Sequence, residues 1–395
     1  MPASIDPAPR AAHCQGSRVS MRAILERSSL LKSLNHVHRV VERRNTIPIL
    51  SNVLIRASGS ELTLKATDLD LEILETVPAE VGRAGATTVP AHMLYDIVRK
   101  LPDGAEVALE TAPDGQTVLV RSGRSSFSLQ MLPETDFPDL TTGQFPVRFE
   151  LPATAFKTLI DRTQFAISTE ETRYYLNGIY LHTPTVEGRT LLRAVATDGH
   201  RLARAQTSVP EGADGMPGII IPRKTVGEIQ KLLDTPDPAA LAAIEISDTK
   251  IRVTFGPVVL TSKLIDGTFP DYARVIPQGN DKALKVDRAT FSDAVDRVST
   301  IASERGRAVK LSLGDDGRLS LTVNNPDSGS ATEELDVDYS ASPLDIGFNS
   351  RYLLDIAGQL KTPTALFRFA DPGSPTLIQD EGDDDALYVL MPMRV

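Results

Sequence analysis

The chain repeats itself at a domain-sized period, and this feature constrains its fold more than any other. In each copy, apolar residues alternate over a few positions, as in a strand, and then recur at helical spacing. The three copies are AILERSSLLKSLNHVHRVV (23–41), RFELPATAFKTLIDRTQFAI (148–167) and ALKVDRATFSDAVDRVSTIA (283–302). A second strand–helix pattern follows at TTVPAHMLYDIVRKLP (87–102), IIIPRKTVGEIQKLLD (219–234) and DIGFNSRYLLDIAGQLK (345–361). We therefore predict three similar modules, each with two helices.

Polar residues between the two helices of each copy share this period. Aligning Asp68, Asp198 and Asn325 gives spacings of 130 and 127 residues. The segments around them are predicted to be strands, and Leu69 and Leu71 alternate with polar neighbours as in a half-buried strand. These segments are LTLKATDLDLEI (62–73), LLRAVATDGHRLARA (191–205) and LSLTVNNPDSGSATEEL (319–335). Solenoid repeats span only roughly 20–50 residues, so the longer period here indicates copies of a whole domain.

Turn signals complete the predicted organisation of each module. Alternating segments are separated by Ser58-Gly59, Asp114-Gly115 and Asp316-Gly317, as in β-hairpins. Each module is expected to hold about eight strands, in the order βαβββ twice. The Pro-rich segments TDFPDLTTGQFP (135–146) and TFPDYARVIPQGND (268–281) are predicted to join the modules. The predicted divisions are a disordered extension at 1–20 and modules at 21–146, 147–279 and 280–395.

Composition excludes several kinds of site. Cys14 is the only cysteine, so the chain can form neither a disulfide framework nor a cysteine-based zinc site, and it suits a reducing cytoplasm. No apolar run reaches the roughly 20 residues that a membrane helix needs, so no membrane partner is expected. Residues 1–20 lack the apolar segment of a signal peptide. No phosphate-binding glycine motif is present, which argues against an intrinsic ATPase.

The distribution of charge is more informative than its total. The net charge of −10 by itself argues against nucleic-acid binding, because DNA-binding surfaces are usually basic. The helices are predicted at 28–44, 90–101, 152–164, 222–234, 287–299 and 349–361. Their charges sum to +6, which leaves −16 on the rest of the chain. One interpretation is that the helices line a hole around DNA. The alternative is that helices carry more Lys and Arg by propensity.

Several blocks of sequence, in order, carry a resemblance to one family. They are TIPILSNVLI (46–55), ATTVPAHMLYDIVRKLPDGAEV (86–107), VRSGRSSFSLQMLPETDFPDL (120–140), RYYLNGIYL (173–181), ATDGHRLA (196–203), TSKLIDGTFPDYARVIP (261–277), GFNSRYLLDI (347–356) and YVLMPMRV (388–395). On these blocks the chain resembles the bacterial DNA polymerase III beta subunit family, the β sliding clamps, from Met21 to Val395. Residues 1–20 have no counterpart in that family.

The resemblance implies both a fold and a function. The fold is α+β, with three tandem DNA-clamp domains of two βαβββ motifs each, helices lining a central hole and sheets outside. Two chains form a ring-shaped, head-to-tail homodimer. The implied function is that of a DNA sliding clamp, a processivity factor that encircles duplex DNA, reads no sequence, has no catalytic activity and needs no cofactor. The implied partners are the DNA polymerase III alpha subunit, the clamp loader, translesion polymerases, mismatch repair proteins and ligase.

The resemblance also implies a pocket for partner peptides between the second and third modules. Clients insert a short motif, roughly Gln-Leu-x-Leu-Phe, whose apolar anchors suit a cleft with few polar groups. One part of the pocket would contain Leu176, Thr197, Gly199, His200, Arg201, Leu202, Pro270 and Val275. The adjoining groove would contain Arg173, Tyr175, Tyr352, Val389, Met391, Pro392, Met393 and Arg394. Gly373 and Pro375 depart from the family pattern, and we expect them to alter one wall. Without the resemblance, the terminal MPMRV would be interpreted as a fraying strand.

Residues for DNA and for the dimer seam follow from the same resemblance. Arg44 best matches a DNA-contacting position of the family and Tyr174 is next, whereas Arg43, Lys224 and Arg351 are suggested by charge alone. Each of them could equally be solvated surface. The seam would join one set of residues in the first module, Arg124, Phe127 and Leu129, to another in the third, Thr300, Ile301 and Glu333. Thr300 stands where the family commonly has an apolar residue.

Two other functions are kept as alternatives: a metal-dependent enzyme that processes nucleic acid, and a scaffold protein that does not contact DNA. Asp198 and His200 could act as acid and base, but no nucleophile motif accompanies them and a polar turn is the plainer interpretation. His36 and His38 are two residues apart on a predicted helix, so they point to different faces and no metal site is expected. The acidic run 380–385 is interpreted as a solvated hairpin loop in preference to a cation site.

Overall fold

A computed structural model describes residues 21–140, 142–234, 237–302 and 307–394. The predicted extension at 1–20 lies outside the described residues. Internal contacts divide the described chain into two compact units. The first contains the residues up to 140 together with 257–260, and the second contains 142–256 and the residues from 261 onward. None of the helices in the described ranges is both long and apolar enough to cross a membrane.

The first unit contains two antiparallel sheets and two helices. Its strands are β1 Arg22–Glu26, β2 Asn52–Ser58, β3 Glu61–Thr67, β4 Leu71–Pro78, β5 Glu80–Arg83, β6 Gly85–Pro90, β7 Glu106–Thr111, β8 Thr117–Ser122 and β9 Ser125–Gln130. Its helices are α1 Arg27–Val37 and α2 Ala91–Lys100, with 3-10 turns at Pro48–Ser51 and Glu134–Asp136. One sheet has the order β5-β1-β7-β8-β9, and the other contains β4-β3-β2-β6. The helices bury one apolar face each, through Leu34 and Val37 of α1 and Leu94 and Val98 of α2.

The second unit contains the remaining elements. Its strands are β10 Val147–Pro152, β11 Gly178–His182, β12 Thr185–Val186, β13 Arg189–Thr197, β14 Arg201–Ser208, β15 Ile219–Pro222, β16 Leu241–Ile246, β17 Lys250–Phe255, β18 Val258–Lys263, β19 Lys282–Asp287, β20 Ala308–Leu313, β21 Arg318–Asn325, β22 Gly329–Asp336, β23 Asp338–Tyr339, β24 Leu344–Asn349, β25 Thr364–Phe369, β26 Thr376–Asp380 and β27 Ala386–Leu390. Only the part of β18 from residue 261 onward belongs to this unit. Its helices are α3 Ala153–Asp161, α4 Arg223–Leu232, α5 Arg288–Ser299 and α6 Ser350–Ala357, with 3-10 helices at Gln164–Ala166, Glu171–Leu176 and Tyr272–Val275.

One large sheet of the second unit joins strands from the predicted second and third modules. Its order is β15-β11-β13-β14-β27-β26-β25-β19-β23, and β12 pairs with β13 at one side. The link between the modules is the antiparallel pairing of β14 with β27. A separate four-stranded sheet has the order β22-β21-β20-β24, and β10, β16 and β17 pair in that order.

The predicted α+β class and threefold repeat are confirmed. Among the described residues, each module contains two helices and nine strands, in the order βαβββ twice with one additional short strand. The additional strands are β5, β12 and β23, of which two are only two residues long. Such short pairings have no sequence pattern of their own, which explains why about eight strands were expected. The three predicted hairpin signals also lie in hairpin turns, where Gly59, Gly115 and Gly317 adopt positive φ angles.

The segments predicted as single strands around Asp68, Asp198 and Asn325 are hairpins, so that prediction was wrong. Asp68 Oδ1 accepts hydrogen bonds from the main-chain N–H groups of Asp70 and Leu71. Asp198 and Asn325 accept equivalent bonds from the residues that follow them. Leu69 is in the turn, with a φ of +79°. Short polar side chains compete with sheet pairing in this way, and the alternating pattern on both sides conceals the turn.

Helix α1 ends seven residues earlier than predicted. It was expected to reach Arg44, but it stops at Val37. Nδ1 of His38 lies 2.5 Å from the main-chain oxygen of Leu34, where the imidazole can donate to a carbonyl of the last turn. Val40 and Val41, which follow the end of the helix, are both buried. His36 contacts Glu75 at 2.7 Å, so the two histidines have separate structural partners.

The acidic run is a hairpin loop, as expected, but it is not fully solvated. Residues 381–385 connect β26 to β27. Asp380 is only 1% exposed, and its Oδ1 accepts hydrogen bonds from the main-chain N–H groups of Lys361 and Thr362. Asp383 forms an ion pair with Arg162 at 2.9 Å. These long-range partners have no signal in the local sequence.

Candidate functional site

A surface cavity lies where the second and third modules share a sheet. Leu202 of β14 is opposite Val389 of β27. The 3-10 helix Glu171–Leu176, the β13–β14 turn and the 268–281 joining segment contribute the other walls. The volume is about 330 Å³, at the lower end of the roughly 300–1,000 Å³ typical of ligand pockets. The lining residues are Arg173, Tyr175, Leu176, Thr197, Gly199, Arg201, Leu202, Pro270, Asp271, Tyr272, Val275, Val389 and Met391.

The cavity has an apolar, well-packed floor. Leu176, Leu202 and Val389 are buried together in one core cluster. Val275 and Met391 also line the cavity, yet they are 50% and 41% exposed. Large apolar groups left in water beside an apolar cavity are typical of a surface that binds apolar side chains of a partner. Methionine adds adaptability to such a surface because its side chain is flexible.

Local hydrogen bonds fix the β13–β14 turn at the edge of the cavity. Thr197 Oγ1 accepts from the N–H of Gly199 at 3.1 Å and donates to the main-chain oxygen of Arg201 at 2.7 Å. Asp198 Oδ1 accepts from the N–H groups of His200 and Arg201. Gly199 has a φ of +88°, in the left-handed region that favours glycine. The turn is therefore shaped before any ligand binds.

Arg201 connects this turn to the third module. Its guanidinium carbon lies 4.2 Å from the ring centroid of Tyr352 and 5.0 Å from that of Phe165. The same group donates to Asp198 at 3.2 Å and to Asp355 at 2.5 Å. Burial raises the pKa of the Tyr352 hydroxyl, so the ring is neutral at physiological pH. The planar guanidinium thus stacks and forms ion pairs at once, which lysine could not do.

Arg173 is held in place on another wall of the cavity. Its Nε and Nη2 donate to the two carboxylate oxygens of Glu170 at 2.9 and 2.7 Å, and Nη2 also donates to the main-chain oxygen of Asp198. The hydrogen bond from Arg173 lowers the pKa of Glu170, and the same bond raises the pKa of Arg173. A Cβ atom on Gly199 would lie 2.5 Å from Nη1 of Arg173. Glycine at 199 therefore makes room for this guanidinium.

The structure brings together most of the residues predicted for the pocket. Eleven of them line the cavity: Arg173, Tyr175, Leu176, Thr197, Gly199, Arg201, Leu202, Pro270, Val275, Val389 and Met391. The other five are His200, Tyr352, Pro392, Met393 and Arg394, which do not line it. The main-chain oxygen of His200 accepts from the N–H of Met391, and the N–H of Met393 donates to Gly347. These bonds hold the C-terminal segment beside the cavity.

Two residues expected at a wall of the cavity do not line it, and two residues that do line it were not predicted. Gly373 and Pro375 lie in the turn between β25 and β26 and do not line the cavity, because Asp371 accepts hydrogen bonds from Gly373 and Ser374 and folds the turn on itself. The missed residues, Asp271 and Tyr272, do line it. The signal for them was present, because they lie between Pro270 and Val275 in a segment already assigned to the pocket.

Comparison with known proteins identifies the family. Three family models match, described as the N-terminal, central and C-terminal domains of the DNA polymerase III beta subunit, at residues 21–141, 150–271 and 273–394. The chain belongs to the DNA polymerase III beta subunit family. Relatives named beta sliding clamp include the Caulobacter vibrioides protein, 52% identical over 375 residues, and the Escherichia coli protein, 41% identical over 378 residues. Each match covers 95% of this chain and 100% of the relative.

Solved structures agree with this family assignment. The sliding clamp of Bartonella birtlesii bound to griselimycin has a TM-score of 0.92 and 58% identity, and the match covers 95% of this chain and 100% of that one. The beta sliding clamp of Caulobacter crescentus has a TM-score of 0.93 and 52% identity, and the match covers 96% of this chain and 100% of that one. The predicted family and its tandem clamp domains are confirmed. These sliding clamps are the processivity factors of DNA polymerase III.

The residues predicted to contact DNA, from the resemblance or from charge, are all on the surface. Arg43 and Arg44 lie in the segment after α1, and Tyr174 lies in the 3-10 helix Glu171–Leu176. Lys224 and Arg351 lie in the first turns of α4 and α6. All five side chains are exposed. Their role with DNA stays a prediction.

The residues predicted for the clamp's dimer seam lie in or beside β9 in the first module, and in β22 and the segment after α5 in the third. Phe127 and Leu129 belong to β9, and Arg124 lies in the turn before it; β9 is the last strand of its sheet within the described residues. Phe127 is 37% exposed, whereas Leu129 is buried by its own unit. In the third module, Thr300 and Ile301 follow α5, and Glu333 lies on the edge strand β22. Glu333 forms a two-point ion pair with Arg297 of the same chain.

The residues considered for catalysis or metal binding have structural partners. Asp198 is engaged by the turn and by Arg201, and His200 is exposed beside it. Within the described residues, His, Cys, Asp and Glu side chains form no group of three or more that could hold a metal ion. Nothing in this arrangement provides a nucleophile with a base in contact.

Proposed function

We propose that two copies of this chain close head to tail around duplex DNA and that the cavity at Leu176 binds the proteins that the ring tethers. The observation that carries the proposal is the cavity itself, an apolar pocket bordered by exposed Val275 and Met391 in a chain of the clamp family. A pocket of about 330 Å³ suits one or two apolar side chains of a linear peptide. The chain would therefore hold partners by short motifs of the Gln-Leu-x-Leu-Phe kind.

Support for the ring comes from two different sheet edges. The edge strands β9 and β22 each offer main-chain groups on one side, within the described part of the chain. An open edge readily pairs with another chain, and two different edges meet in a head-to-tail arrangement. The exposed ring of Phe127 provides an apolar contact for this seam.

Support for DNA binding comes from the charge of the helices. The six helices contain eleven Lys and Arg residues against six Asp and Glu residues. The whole chain, in contrast, contains 42 Lys and Arg residues against 52 Asp and Glu residues. Basic helices attract phosphates, and an acidic remainder discourages binding elsewhere. Contacts of this kind depend on salt and read no sequence, as sliding requires.

The proposed partners are those of a bacterial replication clamp: the DNA polymerase III alpha subunit, the clamp loader, translesion polymerases, mismatch repair proteins and ligase. The chain itself would be a non-catalytic accessory subunit that acts in the cytoplasm without a cofactor. Pure protein incubated with DNA and Mg²⁺ should leave the DNA intact. Cleavage that persists through purification would favour the alternative of a metal-dependent nucleic-acid enzyme.

A topological assay tests enclosure directly. The protein is loaded onto nicked circular DNA with a clamp loader and ATP, washed at high salt, and the circle is then cut. We expect the clamp to remain on the circle at high salt and to leave when the circle is linearised, because enclosure needs no strong contact. Release at high salt from the intact circle would contradict enclosure. A protein that never associates with DNA would instead be a scaffold.

A further inference from the structure

Tyr272 lines the cavity, and two polar side chains hold its hydroxyl group. Tyr272 is 9% exposed and belongs to the same apolar cluster as Leu176. Its hydroxyl oxygen lies 3.0 Å from Nη1 of Arg193 and 3.1 Å from Nε2 of His182. A guanidinium group can only donate, so Arg193 donates to the tyrosine oxygen. The tyrosine hydroxyl donates to Nε2 of His182 in the imidazole tautomer that carries its proton on Nδ1. The phenol is thus fixed by one donor and one acceptor.

Arg193 is itself fixed and has few other partners. Its side chain is buried, and its Nε and Nη2 donate to Oε1 of Gln206 at 3.1 and 2.7 Å. Within the described chain, the hydrogen-bond acceptors that Arg193 meets are the neutral groups of Gln206 and Tyr272. A buried charge is costly unless its N–H groups are all bonded, so the Tyr272 oxygen cannot leave Arg193 without a penalty.

His182 links Tyr272 to a stack of aromatic rings. The imidazole stacks on Tyr180 with ring centroids 4.5 Å apart, and Tyr180 stacks on Phe269 at 4.9 Å. Phe269 and Tyr272 both belong to the 268–281 joining segment, so that segment is anchored at two points on β11. Burial, followed by the charge of Arg193, lowers the pKa of His182 to about 4. The imidazole is therefore neutral at neutral pH, as an acceptor must be.

We infer that Tyr272 is a wall of the cavity that a partner peptide contacts and that Arg193 and His182 are positioning residues that hold it there. The fixed ring forms part of the surface that meets an apolar anchor of the peptide. Pro270 and Val275 lie on the same short segment, so the anchored segment also sets their positions along the wall. This inference rests on the proposed peptide binding.

The first test measures peptide affinity in the full-length protein. A fluorescent peptide that contains Gln-Leu-Ala-Leu-Phe is titrated by anisotropy against wild type, Tyr272→Phe and Tyr339→Phe. Tyr339 is the matched control, because it is also buried and donates to Ser342 but does not line the cavity. Removing the two hydrogen bonds that position the wall should weaken binding about tenfold in Tyr272→Phe. Tyr339→Phe should bind as wild type does.

The second test separates positioning from general stability. His182→Gln keeps an acceptor for the tyrosine hydroxyl, whereas His182→Leu removes it. We expect His182→Gln to retain wild-type affinity and His182→Leu to lose it about as much as Tyr272→Phe. Amide hydrogen exchange of residues 270–276, measured without peptide, should quicken in Tyr272→Phe and His182→Leu and stay unchanged in Tyr339→Phe.

The outcomes distinguish this inference from the proposed function. If wild type binds no peptide, the proposed docking at the cavity fails and the inference fails with it. If wild type binds but Tyr272→Phe, His182→Leu and Tyr339→Phe match it in affinity and exchange, only the inference is overturned.

Discussion

At the residue scale, short polar side chains shape equivalent turns in all three modules. Asp68, Asp198 and Asn325 each accept a hydrogen bond from the N–H group two residues later. Such bonds are local, so the sequence contains all the information that specifies them, even though the alternating pattern led to their assignment as strands. Among these turns, the one at Asp198 lines the cavity through Thr197 and Gly199.

Gly199→Ala should weaken peptide binding and lower stability. The new Cβ would approach Nη1 of Arg173 to 2.5 Å, and the φ of +88° strains any residue with a side chain. The backbone strain alone costs roughly 1–2 kcal/mol, measurable by urea unfolding. Gly59→Ala is the matched control, because Gly59 has a φ of +61° and a Cβ added there would meet no atom within 4 Å. Only Gly199→Ala should also reduce peptide affinity, and equal affinity in both variants would contradict the role of Arg173.

The titration of His182 predicts a pH dependence of stability. Its pKa falls from 6.5 to about 4 on folding, so between these values the unfolded chain binds a proton that the folded chain does not. This contribution to the free energy of unfolding is therefore complete above pH 6.5 and decreases as the pH is lowered toward 4. His182→Gln removes the titration. The difference in urea midpoint between wild type and His182→Gln should change between about pH 7 and about pH 4.5, and a constant difference would contradict the lowered pKa.

At the element scale, the arrangement of strands determines both the cavity and the open edges. The cavity exists because β14 of the second module pairs with β27 of the third, two strands far apart in sequence. The edges exist because β9 and β22 come last in their sheets within the described residues. The sequence patterns indicated each strand but could not indicate these neighbours, since pairing partners depend on long-range packing.

Phe127→Lys should weaken the dimer. A charge at the centre of β9 opposes edge-to-edge pairing, because it would have to be desolvated in the seam. Light scattering should give a mass near twice 42.8 kDa for wild type and a mass that falls toward 42.8 kDa on dilution of the variant. Met93→Lys, which changes another exposed apolar residue of the first unit, should remain dimeric. A monomeric wild type, or a Phe127→Lys dimer of unchanged affinity, would contradict the proposed seam.

At the scale of the whole molecule, the charge is segregated between kinds of element. A net charge of −10 coexists with net basic helices. Exposed Arg44, Lys224 and Arg351 come from three different modules, so under the proposed function each module would contribute to DNA binding. Weak attraction spread over many sites suits movement along DNA better than one strong contact.

Changing Arg44, Lys224 and Arg351 together to alanine should weaken DNA binding in a salt-dependent way. Each lost phosphate contact reduces the slope of log affinity against log salt by about 0.9. The comparison variant combines Arg56→Ala, Arg274→Ala and Arg318→Ala, which remove three exposed charges that are not predicted to contact DNA. The slopes are obtained by measuring the affinity of the protein for short linear DNA duplexes over a series of salt concentrations. Equal slopes in wild type and in the triple variant of Arg44, Lys224 and Arg351 would contradict DNA contact by these residues.

The number of modules, their α+β content, the hairpin turns and the family could all be predicted from the sequence, because they depend on local patterns and on ordered motifs that a linear chain displays. The resemblance also indicated eleven residues of the cavity. Three features became visible only in the folded chain: α1 ends at Val37, Asp380 is buried, and Arg193 and His182 hold Tyr272. The burial of Asp380 and the positioning of Tyr272 arise from contacts between residues distant in sequence, whose energies depend on burial and hydrogen-bond geometry that no local pattern encodes.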